Sequence, residues 1–186
     1  TDGAAGEATN LSLTVDEDEL SDGTDGALPD PDNIGEDGTV DSGTVTFTSG
    51  GDAITGVAFG STAGISIPDL DDAASISWVG DGTDTLTGWI GGVGTGTAVI
   101  QLTITGTQTA AAGGATATPT VTATLLADFP HEDNVNVDTL NIAGIQVVAT
   151  ENGGGTLTST VDVTVIDDLP DVEISADPTD GDGTDT

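Results

Sequence analysis

The chain contains no lysine, no arginine and no cysteine, and its one histidine is His131. Each absence closes a class of function. Without Lys or Arg there are no side chains to neutralise phosphates, so nucleic acid and anionic membrane surfaces are disfavoured partners. Without cysteine there is no disulfide framework and no thiolate metal site, and a single imidazole leaves zinc without its usual ligands. Aromatic residues are scarce, with three Phe, two Trp and no Tyr, so the core has to be built from small aliphatic side chains. No apolar run reaches the roughly 18 residues of a membrane-spanning helix, and no basic-then-apolar signal segment opens the sequence. The sequence also lacks a G-x-S-x-G elbow, a phosphate loop ending in G-K-[ST] and a CxxC pair.

What is present is acid. Thirty-three Asp and Glu give a formal net charge of -33 over 186 residues. A compact domain of this length has a radius of gyration of roughly 16 Å, only about twice the physiological screening length of roughly 8 Å. The carboxylates therefore repel one another across the whole fold, and bound cations are the natural remedy. Disorder does not follow from the charge. Hydrophobic residues make up 35% of the chain, and 28 glycines raise the apolar share to the ordinary globular value.

Alternation of apolar and polar residues identifies strands. Over 157–165, Leu157, Val161, Val163 and Val165 share one face, and Thr158, Thr160, Asp162 and Thr164 share the other. The same signature predicts strands at 10–15, 44–48, 53–59, 65–67, 74–79, 85–90, 97–107, 116–126 and 139–150. The pair 74–79 and 85–90 forms a hairpin around the Gly-Asp-Gly turn. Within 97–107, Val99 stands out of phase with Ile100, Leu102 and Ile104, which predicts a bulge or face switch near Ile100. No segment has helical periodicity with caps. The fold class is all-β, an antiparallel sandwich of nine or ten strands.

The acid is concentrated between these strands. The first strand ends in Asp16, Glu17, Asp18 and Glu19, and acidic loops cover 21–42 and 127–138. The final strand runs into Asp167, Asp168, Leu169, Pro170 and Asp171, where proline stiffens the exit. Residues 1–8 read as a lead-in, 9–168 as one sandwich domain and 169–186 as a linker towards a following unit. The tetrapeptide Asp-Gly-Thr-Asp recurs at 22–25, 81–84 and 182–185 and reads as turn chemistry in a chain rich in those residues.

The segment 138–172 together with 11–20 resembles the large repeat domains of giant RTX-type adhesins exported by type I secretion. The shared pattern is an opening strand closing in Val15-Asp16-Glu17, an acidic loop bearing His131, a D-x-L strand from Asp138, a Gly-rich turn at 151–155 and a V-x-V-x-D-D-x-P exit over 163–170. The resemblance implies an immunoglobulin-like or cadherin-like sandwich, calcium-dependent rigidity and a place in a long stalk on a bacterial cell surface, with neighbouring repeats of the same chain as partners.

In an immunoglobulin-like sandwich the first and last strands run in the same direction. Asp16, Glu17 and Asp18 then fall at the same pole as Asp167, Asp168 and Asp171. If the last two connections are simple reversals, strand 116–126 points to that pole too and brings Asp128, Glu132 and Asp133. These nine carboxylates are the candidate ligands for Ca²⁺, which takes six to eight oxygens, whereas Mg²⁺ demands stricter octahedral geometry. His131 reads as an ordinary loop residue. An enzymatic role is not expected. Glycoside hydrolysis, the natural use of paired carboxylates, needs a cleft with aromatic platforms, and both Trp are read as core residues. A second functional reading rests on T-x-T rows at Thr44, Thr46 and Thr48, at Thr103, Thr105 and Thr107, and at Thr120, Thr122 and Thr124, as a ligand-binding or ice-binding face. Such a face needs the rows stacked at regular spacing, and the irregular lengths between strands argue against it. A high-salt habitat would also explain acidity, but not its concentration at strand ends.

Overall fold

The computed structural model describes residues 6–17, 20, 38–68, 70–130 and 139–167. In chain order the strands are β1 (Glu7–Ala8), β2 (Leu11–Asp16), β3 (Val40–Thr44), β4 (Phe47–Thr48), β5 (Ile54–Phe59), β6 (Ile76–Val79), β7 (Thr85–Ile90), β8 (Thr97–Thr107), β9 (Thr116–Leu125), β10 (Thr139–Glu151) and β11 (Thr156–Ile166). They form two sheets, β1-β4-β9-β8-β7-β6 with β3 also on β9, and β2-β11-β10-β5. The fold is an all-β sandwich, as the alternation predicts. Among the described residues the only helical element is a single 3-10 turn at Thr62–Gly64.

The inward residues of both sheets make one core. Val161, Val163 and Val165 of β11 meet Leu13 and Val15 of β2 on one side, and Leu102, Ile104, Val121 and Ala123 form the opposing wall. The aromatic rings buried in it are Phe47, Phe59 and Phe129, so aliphatic packing does most of the filling.

Two bulges correct the phase of the strands. Gly88 pairs with Ile100 while Trp89 pairs with Ala98, which leaves Val99 as the extra residue and lets both Val99 and Ile100 face the core. This is the irregularity expected near Ile100. In β10 the register shifts between Ile142 and Ile145, so Leu140 and Ile142 stay inward together with Ile145, Val147 and Ala149 despite their opposite parity. Gly144 makes this possible. Its φ is +83°, a Cβ there would stand 2.8 Å from the Gly64 carbonyl oxygen, and its N–H donates to Asp162 Oδ1 at 2.9 Å.

Three expectations need correction. The strand expected at 44–48 is two pieces, β3 and β4, and β3 starts at Val40, inside the stretch read as acidic loop. Both pieces lie along β9, and the break falls opposite Pro119. The Pro119 carbonyl accepts from the Val45 N–H at 3.0 Å, but proline has no N–H to return. The segment 65–67 is not a strand. Ser66 alone exchanges backbone bonds with Ala143, and Pro68 ends any continuation. The lead-in read over 1–8 contributes Glu7–Ala8 to a sheet, paired with Phe47 and Thr48. The linker read at 169–186 lies outside the described residues.

Among the described strands all pairings are antiparallel except one. β2 and β11 run parallel, with Leu11 opposite Val161 and Asp16 opposite Ile166. The opening strand of this core and β11 therefore finish at the same pole.

Candidate functional site

The parallel register sets the geometry of that pole. Asp16 stands opposite Ile166, and the next residue, Glu17, donates its N–H to the Ile166 carbonyl at 3.1 Å. The Glu17 carbonyl accepts from Leu20 N–H at 2.9 Å, and its Oε1 accepts from the Phe129 N–H at 2.8 Å. Phe129 lies just beyond β9. One glutamate thus ties the ends of β2, β9 and β11 together.

Glu17 is 2% exposed. A carboxylate taken this far from water is costly unless hydrogen bonds hold it, and the sequence contains no Lys or Arg to meet its charge. Its inward direction has a simple cause. Leu13, Val15 and Glu17 follow the period of two, so the residue continues the core face of β2 past the end of the strand.

Of the nine candidate ligands, the structure describes four. Asp16, Glu17, Asp128 and Asp167 come to the same pole, with Glu17 buried, Asp16 and Asp167 half-buried and Asp128 exposed. Asp18, Glu132, Asp133, Asp168 and Asp171 lie outside the described residues, as does His131. Among the described residues no three Asp, Glu or His side chains gather at the spacing of metal ligands. The four described side chains of this set, Asp16, Glu17, Asp128 and Asp167, offer oxygen donors, the kind that hard cations take.

The second candidate surface is the outside of the larger sheet. The described strands hold five acidic residues, Glu7, Asp16, Asp41, Glu151 and Asp162, and the five consecutive strands β5 to β9 hold none. On β7, β8 and β9 the inward set is Leu86, Ile100, Leu102, Ile104, Val121 and Ala123, so the threonines between them face outwards. They are stacked in register. Thr85 pairs with Thr103, Thr103 with Thr122, and Thr122 with Ser42. The next rows are Thr105, Thr120 and Thr44, and then Thr87, Gln101, Thr124 and Val40. Asp41 does not interrupt the surface, because its Oδ2 accepts from Thr14 N–H of β2 at 2.8 Å.

This overturns the argument from irregular connections. The loops absorb their differences in length outside the sheet, and two of the three T-x-T rows lie side by side. Thr44 joins them, whereas Thr48 of β4 pairs with Thr116 at the start of β9. The reading of both Trp as core residues also needs correction. Trp78 packs on the core above Gly88, where a Cβ would stand 3.0 Å from its ring. Trp89 follows Thr85 and Thr87 in the period of two and shares their outer face, half-buried. The signal was present, because Leu86, Gly88 and Ile90 form the other set.

Comparison of the chain with family models, curated proteins and solved structures finds no match.

Proposed function

We propose that this chain is a structural, non-catalytic repeat module of a large bacterial surface adhesin, held stiff by Ca²⁺ at its joints with neighbouring repeats so that an adhesive tip stands away from the cell. The observation that carries the reading is the convergence at one pole of the ends of β2, β9 and β11, joined through Glu17 and flanked by Asp16, Asp128 and Asp167. A Ca²⁺ ion there would supply positive charge to a chain with none from Lys or Arg, and would cross-brace the segments that donate oxygens. Asp168 and Asp171 would extend the ligand set towards the next unit, and Pro170 would keep the connection from behaving as a flexible coil.

The test is the shape of a tandem of two copies. Small-angle scattering should give a long, well-defined maximum dimension with calcium and a shorter, broader distribution with chelator at equal ionic strength. Replacing Asp167 and Asp168 by Ala should remove the calcium-dependent stiffening while each unit still melts cooperatively. Equal dimensions with calcium and chelator would overturn the reading.

A further inference from the structure

We infer that the outer face of β7, β8, β9 and β3 is a binding surface for an uncharged polysaccharide, carried by the in-register rows of Thr hydroxyls and by Trp89. The surface is anomalous for its chain. A protein of net charge -33 keeps acid off five consecutive strands, and the outward positions of these four strands hold only Thr, Ser, Gln, Val, Ala and Trp. Among the described residues no element lies over it, and Thr85, Thr105 and Thr107 are exposed.

Charge selects the class of ligand. An anionic partner is repelled by the molecule as a whole, and a cationic one is drawn to the carboxylates at the strand ends instead. An uncharged ligand approaches this face without stripping water from any ionised group. Hydrogen-bonding chemistry narrows the class further. Each Thr hydroxyl both donates and accepts, neighbouring strands repeat at about 4.8 Å, and three rows cross three or four strands. A ligand that answers such a grid carries hydroxyls along its length, and the Thr methyls between them suit the C–H faces of sugar rings. Trp89 completes the pattern. Its indole lies on the same face beside Thr87, with Ser77 opposite on β6, and an amphipathic ring at the margin of a polar surface is the usual anchor for stacking a partner's apolar face. A second copy of the chain is a poorer occupant, because it would bring another -33 charges against the first.

The inference is independent of the calcium-braced pole and is tested with calcium present. The chain is incubated with insoluble cellulose, mannan and starch and, as a charged control, with alginate. Retention by at least one uncharged polysaccharide and not by alginate is the expected result. Trp89→Ala should weaken that retention about tenfold or more, and the double substitution Thr103→Val with Thr122→Val, which keeps shape and removes two hydroxyls, should weaken it severalfold at an unchanged melting temperature. No retention by any uncharged polysaccharide would overturn the inference, as would equal retention of wild type and both variants. Self-association, or binding to ice crystals, that is lost in the Thr103→Val, Thr122→Val variant while no polysaccharide is retained would give the face to a second copy or to ice, and would overturn it equally.

Discussion

The pole and the sheet face treat the same chemical problem in opposite ways. At the pole, Asp16, Glu17, Asp128 and Asp167 lie where three strands end, and Glu17 is as buried as a core valine. On the sheet face, a few strand lengths away in sequence, there is no charge at all. The difference shows what a chain without Lys or Arg can tolerate. Across neighbouring strands, side chains directly opposite stand about 4.5 to 5.5 Å apart, and like charges there destabilise the pair. With no cation to alternate with, none of the five acidic residues in the described strands stands opposite another carboxylate, and the rest of the acid falls between strands, where loops offer water and backbone donors.

The largest effect should come from placing a carboxylate on the wrong side of the neutral sheet. Val121 is 0% exposed in the middle of β9, and Val121→Asp would bury an ion without a partner at a cost on the order of several kcal/mol, comparable with a typical domain stability of about 5 to 15 kcal/mol. Loss of a cooperative urea transition is expected. A variant that folds normally would show that burial alone does not separate the two regions.

Glu17 provides the matched case, a carboxylate equally buried but bonded. Glu17→Ala leaves the Phe129 N–H without its acceptor and should cost about 1 to 3 kcal/mol. Glu17→Gln keeps an oxygen in reach of that N–H and should cost less. Urea titration of both variants in chelator decides this, and equal losses would mean that the hydrogen bond to Phe129 is not what holds the side chain.

The smallest effect is expected on the face itself. Thr103→Val alone should change stability by no more than about 0.5 kcal/mol, because a hydroxyl on the outer side of the sheet contributes little to packing. A larger loss on thermal melting would mean that the Thr rows serve the fold before they serve any ligand.

Much of this was legible in the sequence, for reasons that also mark where legibility stopped. Strand 97–107 was read to the residue because Leu102 and Ile104 alternate cleanly with Thr103 and Thr105. The convergence of Asp16 with Ile166 followed from one topological rule about first and last strands. What no single strand encodes is its register against another. The pairing of Thr85, Thr103 and Thr122 depends on where each strand begins relative to its neighbour, and loops of unequal length hide that offset. The double phase of β10 was missed because Gly144 reads as one more glycine until Gly64 is seen against it. The inward turn of Glu17 was available from Leu13 and Val15, but a charged residue after a strand reads as loop until burial shows otherwise.

The parallel alignment of β2 and β11 has a mechanical meaning as well. Tension applied at Leu11 and at Ile166 pulls two neighbouring strands past each other along their length. The six register pairs from Leu11 with Val161 to Asp16 with Ile166 are then loaded together, in shear, and none can part before the others feel the force. A hairpin pulled from its open end surrenders its bonds one by one. Here the bond from Glu17 to the Ile166 carbonyl sits at the end of the ladder, so the acidic pole also latches the strand pair that would have to slip first.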